Sequence, residues 1–195
     1  MKNIKIKFDF FSVFIFFVSL FIKNKYTFLT ILAVTIHELG HVFAAFIFKI
    51  KITELSVGIL GARLKTSHSL TSYFQEIMLC LFGPLFNFIS FGLILVLYHN
   101  NLSNKLLYFA TASILLGTLN LMPIKSFDGG RILESILSLF LSPKHTLNTV
   151  KLVSFFFVLT LWIISVYFLL IYTSSLGLFV FSAALFCNIF VDENF

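Results

Sequence analysis

Apolar residues fall along this chain in long blocks, each closed by a few polar or charged positions. The first block, 10–22, is short for a membrane span. It reaches length only if Lys5, Lys7 and Asp9 sit at the interface with their heads among the lipid headgroups. The second, 26–50, is long enough to cross a bilayer. Over 51–65 the period changes, and alternation, β-branched residues and two glycines predict a short β-hairpin beside the membrane. A polar turn at 69–76 leads into a third apolar run that continues through Tyr98 and is interrupted by Gly83-Pro84. The fourth run, 106–121, breaks at 120–130 and resumes over 131–141; freed backbone at membrane depth is tolerated only where it lines protein or a wet cavity. Runs 152–172 and 176–191 complete the pattern. It predicts an all-α polytopic membrane protein with about six transmembrane helices, a membrane-associated β-hairpin and a broken fourth helix. A single domain over 1–195 is expected, with its core at 26–141 and accessory spans at 10–22, 152–172 and 176–191.

Composition sharpens this. At 59% hydrophobic and 11% charged, with 28 Phe, the chain cannot clothe a water-soluble surface. The net charge of +6 therefore reads as topology-setting cations in contact with a lipid bilayer; no basic run with interleaved readout residues points to a nucleic-acid partner. With all six runs spanning, one side receives Lys2, Lys5, Lys7, Lys49, Lys51, Arg63, Lys65, Lys125, Arg131, Lys144 and Lys151, and the other Lys23, Lys25 and Lys105. Eleven against three places both termini in the cytoplasm of a bacterial-type cell membrane. Phe21 to Lys25 offers no small-residue cleavage site, so the first run is expected to stay attached. Cys80 and Cys187 lie in apolar stretches without paired spacing and read as small buried hydrophobes.

Within the second block stands His37-Glu38-Leu39-Gly40-His41. On a helix, histidines at i and i+4 project from one face and can share a Zn²⁺, while the adjacent glutamate reaches a metal-bound water as general base. In a chain with 5 His and five Glu the chance expectation for this pattern is roughly 0.003. Ionisable groups inside a span are costly and usually face a partner, a cavity or a metal. His41 lies about 12 Å from the cytoplasmic end of its helix, so the metal is expected nearer the cytoplasm. A third ligand is needed, and Asp128 stands in the helix break between Pro123 and Gly129-Gly130. Spacing alone leaves it open whether Asp128 is a ligand or a helix N-cap. His68, His99 and His145 fall in polar connections and read as solvated. Glu76 and Glu134 read as solvated or paired.

These residues carry a resemblance. His37-Glu38-Leu39-Gly40-His41, Gly83-Pro84-Leu85-Phe86-Asn87, and Asn120-Leu121-Met122-Pro123 with Phe127-Asp128-Gly129-Gly130 resemble the three signatures of the site-2 protease family of intramembrane zinc metalloproteases (peptidase family M50). Phe127 stands where the family usually has Leu. The resemblance implies one zinc per chain held by His37, His41 and Asp128, water activated by Glu38, and a membrane-spanning or membrane-associated protein substrate. Asn87 or Asn120 could support an oxyanion, or instead tie down the broken backbone; Gly40 and Gly83 fit close helix approach or simple packing. The run from Asn120 to Arg131 is most similar to the sporulation-type branch, which implies a sigma-factor or anti-sigma-factor type substrate and membrane regulatory proteins as partners. That branch usually carries a C-terminal CBS domain, and none precedes Phe195. A multi-span ion transporter accounts for the broken helix and Asp128 but has no need of Glu38 beside His37. An inactive protease-like scaffold is the other alternative, against which the intact ligand set argues.

Overall fold

The computed structural model describes residues 5–8, 25–50, 52–58, 61–66, 72–97, 103–171 and 176–191. The run at 10–22 lies outside the described residues, as do His68 and His99. The chain divides into two units, Met1–Leu121 and Met122–Phe195.

In the first unit, helix α1 (Lys25–Ile47) carries the His-Glu-x-x-His segment. Its buried positions are Ala33, His37, Gly40, His41, Ala44 and Ala45, recurring at three- and four-residue intervals along one face. The opposite face is apolar and exposed, with Phe28, Leu39, Val42 and Phe46 outward. α1 stops at Ile47, and Lys49 takes a left-handed φ of 53°. The Ile50 amide then donates to Ala45 O at 2.9 Å, closing the helix end and reversing the chain.

Helix α2 (Tyr73–Leu97) begins with a capping box: Gln75 N donates to Ser72 Oγ, and Ser72 N donates to Gln75 Oε1. Gln75 Nε2 also donates to Phe48 O, fastening the start of α2 to the end of α1. Gly83-Pro84 does not interrupt this element. Pro84 sits inside a helix that continues from Tyr73 to Leu97, with its ring buried. Helix α3 (Asn104–Asn120) starts at Ser103, whose Oγ accepts from Leu106 N. Small residues allow the three helices to meet: Ala33 and Ala110 pack with Ile94 and Phe109, and Ala44 and Ala45 with Leu79.

This unit also contains strands β1 (Lys5–Phe8), β2 (Ile52–Gly58) and β3 (Gly61–Thr66) in the order β1-β2-β3. β1 pairs parallel with β2, a strand the apolar pattern around it conceals. β2 pairs antiparallel with β3, with Gly58 opposite Gly61 and an irregularity at Ile52/Glu54.

The second unit opens with a non-helical turn and then α4 (Asp128–Leu137), α5 (Pro143–Ile171) and α6 (Leu176–Val191). α4 starts three residues earlier than its apolar pattern indicates and ends at Leu137, followed by a turn to Leu141. α5 reaches back to Pro143 rather than starting at 152, because proline is favourable at the first helical position, where its missing N–H is not needed. His145 accordingly lies on the first turn of α5, exposed, rather than in a connection. α5 and α6 meet through Ser165 and Ser182, whose hydroxyls are 2.7 Å apart.

Three helices among the described residues are long and apolar enough to cross a membrane, over Tyr26–Ile47, Tyr73–Leu97 and Pro143–Ile171. That is fewer than the six runs expected. α3 has 17 residues, about 26 Å, which is short of a ~30 Å hydrocarbon core, and the apolar part of α6, Gly177–Cys187, is shorter still. Large hydrophobic side chains lie on outward faces, with Phe46 82% and Leu170 81% exposed. Such surfaces require lipid, and the protein is an integral membrane protein. Cys80 is buried as expected, whereas Cys187 is exposed on α6.

Candidate metal centre

Helix periodicity brings His37 and His41 to the same face of α1, one turn apart, and packing against α2 buries both. Their Nε2 atoms lie 3.2 Å apart. Two nitrogens bound to one tetrahedral zinc at 2.0–2.1 Å stand about 3.3 Å from each other, so the pair has the spacing of two ligands of one ion.

The opposing surface of α2 supplies three rungs at four-residue spacing. Leu79 O accepts the Nδ1 proton of His41 at 2.8 Å. A neutral imidazole has one ring proton, so His41 Nε2 is left as a lone pair available to a metal. Asn87, fully buried, places its amide Nδ2 3.1 Å from His37 Nδ1. Between them, Gly83 faces both rings: a Cβ added there would lie 2.5 Å from His41 Nε2 and 2.9 Å from His37 Nε2. The space between the two imidazole nitrogens is therefore kept open by the lack of a side chain at 83. A cradle lined by two nitrogens, which a methyl group would fill, fits a metal ion.

Close approach of the two helices has a second cause one turn away. A Cβ at Gly40 would collide with the backbone carbonyl of Phe82, so α1 and α2 are in backbone contact beside the histidines. Phe43 of α1 and Phe48, in the turn that follows it, pack against Phe82 on the flank, the latter edge-on. On α3, Gly117 makes room for Phe88 and for the Cβ of Asn87. Glu38, next to His37, is half-buried and is followed by the exposed Leu39.

Asp128 belongs to the second unit. It is buried, and it is the first residue of α4. The N-cap position is Phe127, which makes no side-chain capping bond, so the carboxylate is not the cap. Its negative charge nonetheless sits favourably at the N-terminal end of α4. The turn before it is held by Ser154 of α5, whose Oγ accepts from Lys125 N at 2.9 Å and donates to Val150 O at 2.7 Å. At Gly130 a Cβ would collide with the carbonyl of Ile124, which only glycine permits. Asn120, at the end of α3, donates its Nδ2 to Leu116 O within its own helix, at 3.0 Å.

Residue types singled out His37, Glu38, His41, Asn87, Asn120 and Asp128; the structure brings His37, His41 and Asn87 together and turns the Asn120 amide to its own helix. Leu79 gave no signal, because its contribution is a backbone carbonyl. Ser154 was hidden as one small residue in an apolar run.

A polytopic membrane fold with a histidine pair of metal-ligand geometry is the class these features define. The fold is that of the "Site-2 Protease from Methanocaldococcus jannaschii", matched at a TM-score of 0.66 and 22% sequence identity over 100% of this chain and 94% of that one. Residues 96–164 match the model of Peptidase family M50, a segment that includes Asn120, Pro123 and Asp128 and leaves out the histidine pair. No curated protein matches the chain in sequence.

Proposed function

We propose that this protein is an intramembrane zinc metalloendopeptidase of the site-2 protease type, hydrolysing a peptide bond of a membrane-spanning or membrane-associated protein. The observation that carries the reading is the open space at Gly83 between two buried imidazole nitrogens, on a helix that also bears Glu38. The family match over 96–164 and the fold likeness support it. His37, His41 and Asp128, all buried and each offering one ligand atom, are the proposed zinc ligands.

When bound, zinc supplies Lewis-acid activation of water and of the scissile carbonyl. Glu38 takes the proton released as water attacks the carbonyl carbon and passes it to the leaving amine. His37 and His41 would hold the ion through Nε2, with the His41 ring oriented by Leu79 O and the His37 ring facing Asn87. The buried wall of α2 excludes bulk water from the histidine face, which strengthens the electrostatics of the step.

The cation distribution of the sequence supports cytoplasmic termini, with the site opening toward the cytoplasmic side. The motif around Asn120 to Arg131 supports a sporulation-type relative acting on a sigma-factor or anti-sigma-factor type regulator.

The test is Glu38→Gln, assayed in membranes co-expressing candidate single-span substrates and in purified protein for metal. Zinc content should remain at one per chain while cleavage falls by about 10²–10⁴-fold. Cleavage that survives the substitution would overturn the protease mechanism.

A further inference from the structure

Chemistry on α2 sets a condition on His37 that the metal reading leaves unstated. A neutral imidazole carries one proton, and if Nε2 is to bind a metal, that proton must sit on Nδ1. Nδ1 of His37 is buried and faces the side-chain amide of Asn87 at 3.1 Å. It then needs an acceptor, because a buried N–H without one costs about 1–3 kcal/mol. The amide presents Nδ2 on this side, and its Oδ1 is buried and meets no hydrogen-bond partner. Half a turn about Cβ–Cγ exchanges the two atoms within the same volume and sets the carbonyl oxygen against the ring N–H.

The two settings of the amide correspond to two proton arrangements. With Nδ2 donating to His37 Nδ1, the ring proton is on Nε2, where it bridges to His41 Nε2 across 3.2 Å. That chain of donors ends at Leu79 O and closes the metal position with a proton. With Oδ1 accepting from Nδ1, both Nε2 atoms present lone pairs to the space beside Gly83. Only the second arrangement binds a cation.

We propose that Asn87 is the positioning residue of this centre: its Oδ1 accepts the Nδ1 proton of His37, holding Nε2 as the metal-binding nitrogen, in parallel with the service Leu79 O performs for His41. The proposal rests on the reading of His37 and His41 as metal ligands. Asn87 touches neither the reacting water nor the peptide in this role, and its effect passes through His37.

The experiment is zinc titration of the full-length protein in detergent, against a competing chromogenic chelator, for the parent chain, His37→Ala, Asn87→Leu and Asn87→Asp. Leucine keeps the approximate volume and removes the acceptor; aspartate keeps the shape and offers oxygen acceptors only. Asn87→Leu should weaken zinc binding about 10–100-fold, and Asn87→Asp should restore it to at least the parent affinity. Imidazole ¹⁵N resonances of the zinc-loaded parent and Asn87→Asp proteins should show a protonated Nδ1 on His37. Unchanged affinity in Asn87→Leu overturns the assignment and leaves the metal reading intact. Loss in Asn87→Asp as large as in Asn87→Leu also overturns it, and decides the matter if the leucine variant fails to fold. A parent chain that binds zinc no better than His37→Ala overturns the metal reading itself, and the assignment with it.

Discussion

The backbone carbonyl of Leu79 accepts the Nδ1 proton of His41 at 2.8 Å, so one imidazole of the pair is oriented by an atom that no side-chain substitution removes. The side chain of Leu79 has a separate task, since it is fully buried against Ala44, Ala45 and Phe48. Leu79→Ala should therefore cost about 2–5 kcal/mol of stability through the cavity it leaves. Zinc affinity of the folded fraction should change by less than about threefold, because the carbonyl remains. Thermal unfolding in detergent and a zinc titration separate the two effects; a large loss of affinity in a protein of unchanged stability would contradict this division of labour.

At Gly83 the expectation is reversed. Gly83→Ala places a methyl group 2.5 Å from His41 Nε2, inside the space a metal ion would use. Zinc binding should fall by at least about 100-fold, a change on the order of 3 kcal/mol. Helix content by circular dichroism should stay near that of the parent, because alanine favours a helix. Normal zinc stoichiometry in the alanine variant would remove the ion from between the two histidines.

Ser154 holds the turn that precedes Asp128. Replacing it by alanine removes the acceptor of the Lys125 amide and the donor to Val150 O. The expected cost is about 1–3 kcal/mol, measured as a lowered midpoint of thermal unfolding. Ser154→Thr keeps the hydroxyl and should recover most of it. Equal loss in both variants would assign the effect to packing in α5.

Much of this was legible in the sequence, and for identifiable reasons. Two histidines at i and i+4 in an apolar run define a helix face whatever packs against it. The break after Asn120 was readable because Pro123 cannot continue a regular helix, whereas the paired glycines lie inside α4. Element boundaries were less readable: Pro143 acts as a helix start, which a search for apolar runs passes over, and Pro84 lies inside a helix it was expected to interrupt. In α2 the signal was present at Gly83 and Asn87 but incomplete, since the third rung at Leu79 is a main-chain atom that any residue type would provide. Strand β1 was masked by the lysine-rich start of an apolar segment, where the alternation over Lys5–Phe8 is only four residues long.

Helices in lipid lack the hydrophobic drive that locks soluble helices together and are comparatively at liberty to slide along one another. Moving α2 by four residues, about 6 Å, would set the side chain of Leu79 or of Asn87 where Gly83 now faces the histidines. Either would plug the gap. Only one of these neighbouring alignments leaves the space open, so the register of α2 along α1 decides whether the two imidazole nitrogens face a gap or a side chain.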